Sequence, residues 1–294
     1  MTPMFTIDKT ISRKKTELLS YFRDRAEEAL GEIRLTYGSK DYKEQASAIN
    51  KALTKSCESL LSTIKQQATV EKWSNDELLR AILLVTYCFY VVMLESRNDV
   101  WPYDYMTFSR RIGELWDPFC KLCFHTPLKP LTLFIPPLFS EVKRKLAKEI
   151  EDYIDGLSIT PQQKNELKKY YHKVWGLVTS GEISMELDLH FESAGQKVVV
   201  DFKSGFGSNE KGNTNRLLLV ATIYKNLADS YKCLLLVRSA EDSNNNYFKV
   251  LKTSGIWDAY CGDEAYTRMM EYSGFDLKKW IKDNIQWDAR AYAP

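Results

Sequence analysis

Asp188, Asp201 and Lys203 are the residues whose types and spacing carry chemistry in this chain. Met185, Leu187, Leu189 and Phe191 alternate with Ser184, Glu186, Asp188 and His190, the period of a half-buried strand. Further on, Val198, Val200 and Phe202 alternate with Val199, Asp201 and Lys203. A tight turn at Ala194-Gly195 makes the pair a hairpin, with Asp188 opposite Asp201 and Glu186 opposite Lys203. Directly opposed side chains have Cβ atoms roughly 5 Å apart, where like charges are destabilising. Two acids placed so call for a cation between them. Paired carboxylates suit Mg²⁺ and leave positions open for water and a substrate phosphate. The ion polarises the phosphoryl oxygen and acidifies a water. A lysine on the same face, two residues past the second acid, can orient that water and offset developing charge. The chemistry is metal-dependent hydrolysis of a phosphate ester.

The elements around the hairpin must hold it in place. Apolar periodicity predicts helices over about 8–36, 41–70 and 75–96, with Ser74 or Asn75 capping the third. A further helix carries Arg110, Arg111, Glu114 and Trp116 and is kinked or restarted at Pro118. The four prolines within 126–137 predict an extended, irregular connection. Basic amphipathic helices are expected over Ser140–Tyr153 and Pro161–Leu177. After the hairpin come a polar loop from Gly205 to Asn213, a helix over about 214–229, and an apolar strand at Leu234–Val237 of the kind buried on both faces. Another strand near Phe248–Leu251 and two short helices complete the pattern. The fold class is α/β (α+β), a mixed central sheet flanked by helices. Two portions are expected, a helical region 1–105 and a catalytic core 106–294.

Asp188, a gap of twelve residues, then Asp201-Phe202-Lys203 resembles the PD-(D/E)xK nuclease motif, with Leu187 where the motif's proline stands. The resemblance covers roughly residues 107–260 and implies a restriction-endonuclease-like fold. It implies a Mg²⁺-dependent endonuclease acting on double-stranded DNA and similar to type II restriction enzymes. Such enzymes are typically homodimers that cut palindromic sites and leave a 5′-phosphate and a 3′-hydroxyl. A junction resolvase, a transposase subunit, a repair nuclease or a non-catalytic DNA-binding protein would share the core. The resemblance also implies a third acid from an earlier helix, with Glu114 the candidate and Glu95 a weaker one.

The loop leaving Lys203 is rich in small residues and in side chains that read bases and phosphates. Ser204, Lys211, Asn213, Asn215 and Arg216 are therefore candidate DNA contacts, together with Arg110 and Arg111 on the helix of Glu114. Glu186 is read as the ion-pair partner of Lys203, and His190 as a surface histidine. A net charge of +2 over 294 residues excludes a global basic field, so DNA binding must be local. The N-terminus shows no signal peptide. The apolar run Leu79–Leu94 is interrupted by Arg80, Thr86 and Tyr87 and reads as a core helix rather than a membrane span. Six scattered cysteines suit a reducing cytoplasm. Cys120, Cys123 and His125 lack a second ligand pair at zinc-finger spacing and read as packing.

Overall fold

The computed structural model describes residues 14–38, 40–178, 183–207, 211–227 and 231–285. Helices α1 (Lys15–Thr36), α2 (Tyr42–Val70) and α3 (Asn75–Val100) pack pairwise against one another. The start of α3 is fixed by a capping box. Ser74 Oγ accepts from the Glu77 N–H at 3.2 Å, and Glu77 Oε2 accepts from the Ser74 N–H at 3.0 Å. Such a cap satisfies otherwise orphaned donors and contributes about 1 kcal/mol. Among the described residues, α3 is the one helix long and apolar enough to cross a membrane. Leu79, Leu83, Val85, Cys88 and Val92 are fully buried and α1, α2 and the later α5 lie against it, so it is the centre of a helical layer.

Helix α4 (Tyr105–Glu114) breaks at Leu115, and α5 (Trp116–His125) follows. Pro118 sits in the first turn of α5, where a missing N–H removes no helical hydrogen bond. Next come β1 (Thr132–Leu133), α6 (Phe139–Gly156), α7 (Pro161–Val178), β2 (Leu189–Ser193), β3 (Gln196–Lys203), α8 (Lys211–Lys225) and β4 (Lys232–Val237). The last elements are α9 (Asn246–Thr253), β5 (Asp258–Cys261), α10 (Asp263–Ser273) and α11 (Leu277–Asn284). The strands form one mixed sheet in the order β1-β2-β3-β4-β5. β1, β2 and β3 are antiparallel neighbours, while β3, β4 and β5 run parallel. The architecture is mixed α+β with helix predominating.

Both faces of the sheet are covered. Val198, Val200, Phe202, Leu234 and Leu236 join one apolar cluster with α5, α10 and the helical layer α1–α3. Val199, Leu235 and Val237 join a second with Leu217, Val220 and Tyr224 of α8 and Phe248 of α9. This double burial accounts for the unbroken apolar run in β4.

Three sequence expectations change. The segment at 246–253 is helix α9, not a strand: Asn245 accepts from the Tyr247 N–H as its cap, and Phe248 and Leu251, three apart, are its buried residues. The true last strand is β5. The proline-rich connection contributes the two-residue edge strand β1. Finally, β2 starts at Leu189 rather than at Ser184.

Candidate active site

The hairpin has the register expected from its turn. Leu189 faces Val200, His190 faces Val199 and Ser193 faces Gln196. Ala194 and Gly195 carry φ of 50° and 77°, the double positive φ of a type I′ two-residue loop. Asp188 is the residue just before β2, one step past the Leu189–Val200 pair. It does not continue the ladder. Its Oδ2 accepts from the Phe202 N–H at 2.8 Å, two residues past the last pairing, so the side chain ends the strand by taking a backbone donor. The preceding chain leaves the sheet, and Met185 and Leu187 bury in the cluster under α8. Glu186 is exposed and lies off the ladder, so the expected Glu186–Lys203 pair does not form.

Lys203 instead turns back onto Asp201, its Nζ 2.5 Å from Asp201 Oδ1. From α8, Arg216 places a guanidinium nitrogen 3.4 Å from Asp201 Oδ2. Asp201 is only 1 % exposed, with Lys203 the partner of its Oδ1. Burial raises its pKa from the ordinary 3.8 to about 6 against the pull of Lys203, with the Asp188 charge adding to the rise and Arg216 opposing it. Asp188 and Asp201 therefore feel each other's charge.

Two further charged groups, not signalled by any motif, complete the cluster. Asp117 and Lys121 stand four apart on α5, a spacing that makes them neighbours on the helix surface. Lys121 Nζ lies 2.9 Å from Asp117 Oδ2 and 3.4 Å from Asp188 Oδ1. Helix α5 is anchored by buried Trp116, Phe119, Cys120, Cys123 and Phe124, with the Trp116 ring edge-on to Phe202 of β3 at 5.8 Å. That packing aims residues 117 and 121 at the sheet end. Burial raises the Asp117 pKa, and Asp188 adds to it while Lys121 and Lys203 oppose. For Lys121 burial works against the charge, but Asp117 and Asp188 outweigh it and hold the pKa above its ordinary value. Charge balance is local: Asp117, Asp188 and Asp201 face Lys121, Lys203 and Arg216.

The chain beyond Lys203 is pinned. Ser239 Oγ donates to the Ser204 carbonyl at 2.6 Å, and the Phe206 N–H donates to Asn244 Oδ1 at 2.8 Å. A Cβ on Gly205 would come within 2.6 Å of Ser239 Oγ, so a side chain there would push that hydroxyl off the Ser204 carbonyl. Helix α4 approaches the same turn, because a Cβ on Gly113 would meet Ser204 Oγ at 3.4 Å. Glu114, the expected third acid, is the last residue of α4, and its side chain lies outside the described residues. Glu95 is elsewhere: Arg23 grips both its oxygens at 2.8 and 3.0 Å. Arg110 and Arg111 are exposed on α4. Lys211 and Asn215 are exposed in the first turns of α8, and Asn213 is half-buried. Residues 208–210 of the predicted DNA-contact loop lie outside the described residues.

His190 is buried among Phe134 and Tyr224 rather than exposed. Its Nε2 accepts from the Leu187 N–H at 3.3 Å. Burial holds its pKa down to about 4, so the ring is neutral and fastens the segment that leads into Asp188. Beside that segment runs a groove of about 700 Å³ lined by Ile135, Pro137, Phe139, Met185 and Glu186. Cys120 and Cys123 are buried free thiols.

Among the described residues no three His, Cys, Asp or Glu side chains converge as a ready-made metal group. Asp188 and Asp201 nonetheless fit Mg²⁺, which is usually held by one or two carboxylates, its remaining positions taken by water and substrate phosphate. Asp201 Oδ1 carries the Lys203 ammonium at 2.5 Å, so an ion bound there would take the place of that ammonium. No protein-family model, curated protein or solved structure matches the chain.

Proposed function

We propose that the protein is a Mg²⁺-dependent endodeoxyribonuclease that cleaves double-stranded DNA at specific sequences, in the manner of type II restriction enzymes. The observation that carries this reading is Asp201. A carboxylate 1 % exposed, at the end of a central strand, has Lys203 against one oxygen, Arg216 near the other and the charge of Asp188 close enough to raise its pKa. Buried charges are costly and give little stability in return, whereas functional sites collect perturbed acids of this kind.

Asp188 and Asp201 would hold the ion. Mg²⁺ bound there would supply Lewis-acid polarisation of a phosphoryl oxygen. The Lys203 ammonium, freed from Asp201 Oδ1 by that exchange, would orient the attacking water and offset charge on the phosphate. Arg216, 42 % exposed on its side chain and already within 3.4 Å of Asp201, would face a DNA phosphate. Lys211, Asn213 and Asn215 at the start of α8, with Ser204, Arg110 and Arg111 around the end of β3, would follow the duplex. By its likeness to the PD-(D/E)xK pattern the reaction leaves a 5′-phosphate and a 3′-hydroxyl. Two copies acting on a palindromic site would match protein symmetry to DNA symmetry.

The test is digestion of a DNA of known sequence with purified protein and Mg²⁺, which is expected to give discrete bands. Asp201→Asn should lower the cleavage rate by on the order of 10³ or more, since losing one preorganised electrostatic group already costs 10²–10³. Undiminished Mg²⁺-dependent cleavage by Asp201→Asn would sink the assignment.

A further inference from the structure

We propose that Lys121 is a resident cation of this site, filling between Asp117 and Asp188 the place a second divalent ion would take, so that the protein binds one metal ion and not two. The proposal rests on the reading of Asp188 and Asp201 as a metal site. Three observations carry it. First, the Lys121 ammonium bridges two carboxylates from different elements, 2.9 Å from Asp117 Oδ2 on its own helix and 3.4 Å from Asp188 Oδ1 at the sheet end. A compact ammonium is a point charge and can occupy such a position much as an ion does.

Second, the bridge is built in. The side chain of Lys121 is only 28 % exposed, and α5 is fixed by Trp116 on Phe202 and by Phe119 against Tyr90 and Trp280. An ordinary surface ion pair has no such support. Third, Asp117 keeps Oδ1 buried without a hydrogen bond. The acid thus has an oxygen to give a metal, while the lysine takes its other one. With a divalent ion on the Asp201 side and Lys121 beside Asp188, a second ion would meet like charge at close range, which the half-buried setting screens weakly. Lys121 acts through Asp188 and does not touch the reacting phosphate, so it is a positioning residue.

Counting Mn²⁺ ions bound to the full chain, by calorimetry and by paramagnetic resonance of free Mn²⁺, tests this without any cleavage assay. The wild type is expected to bind one ion, lost in Asp201→Asn. Lys121→Gln should bind two. In Lys121→Gln combined with Asp117→Asn, the second ion should weaken at least about tenfold, the usual loss when a metal's supporting group is removed. Lys121→Arg keeps the charge and should stay at one. If Lys121→Gln fails to fold, Lys121→Met keeps the packed stem and takes its place. Two ions on the wild type, or a single ion on a folded Lys121→Gln or Lys121→Met, overturns the proposal while leaving the metal-site reading intact. Absence of any Asp201-dependent Mn²⁺ on the wild type overturns both.

Discussion

Asp201 holds its proton more tightly in the fold than in the unfolded chain, because burial lifts its pKa from 3.8 to about 6. The sign of the pH effect follows. An acid with a raised folded pKa favours the folded state increasingly as pH falls from about 6 toward 3.8, and its contribution is level outside that window. Metal binding runs the other way, since the ligand must be ionised. Mn²⁺ affinity should therefore be flat above about pH 6.5 and fall about tenfold per pH unit below about 6, as expected when one proton competes for the site. Titrations at pH 5 to 8 check this, and an affinity unchanged between pH 7 and pH 5 would remove Asp201 from the ligand set. The same acid shows where sequence reasoning reaches. Opposed Asp188 and Asp201 implied a cation; strand period was enough to place Asp201, whereas Asp188 lies just before β2 and is held by the Phe202 N–H. The fold supplies cations of its own, Lys203 and Lys121, and the second of these was illegible. It lies 67 residues from Asp188 along the chain, on a helix whose orientation only tertiary packing decides.

At the scale of elements, the hairpin was legible because its two signals agree. Period-2 alternation fixes which residues face together, and a two-residue turn fixes the register. The turn also carries a cost. Ala194 sits at φ 50°, a conformation that strains any residue with a Cβ but is tolerated by asparagine. Ala194→Asn should raise stability by up to about 1 kcal/mol and leave Mn²⁺ binding unchanged, as read from urea unfolding midpoints and metal titration. A loss of stability would mean that Ala194 carries no left-handed strain for asparagine to relieve. Weaker signals failed elsewhere for physical reasons. Phe248–Leu251 is too short for period to separate helix from strand, and the Asn245 cap decides it. Strand β1 has two residues and exists only because β2 offers an edge to pair with. Asp188 ended β2 early because a carboxylate can satisfy a backbone N–H as a continued strand would, a competition that alternation does not reveal.

Taken whole, the molecule ties its helical layer to its chemistry through α5. The Phe119 ring packs with Tyr90 of α3 and Trp280 of α11, ring centroids 6.4 and 5.9 Å apart, and three residues before it Trp116 meets the sheet at Phe202. One apolar cluster runs from Leu18 and Phe22 of α1 through Leu83 of α3 and Cys120 of α5 to Val200 and Leu236. Residues of the N-terminal third therefore share a core with the strand that bears Asp201. Two consequences can be measured. Urea unfolding followed by far-ultraviolet circular dichroism, dominated by the helices, should coincide with unfolding followed by tryptophan fluorescence, because cluster and sheet lose their packing together. Phe119→Ala, which removes the ring at the junction, should cost about 3–5 kcal/mol. It should also change Mn²⁺ binding at a temperature where the variant is still folded, since Lys121, whose ammonium lies 3.4 Å from Asp188 Oδ1, is aimed by the same helix two residues further on. Two separated transitions would show a helical layer that folds independently of the sheet. A folded Phe119→Ala with wild-type metal affinity would show that α5 braces the core without setting the geometry of the acids.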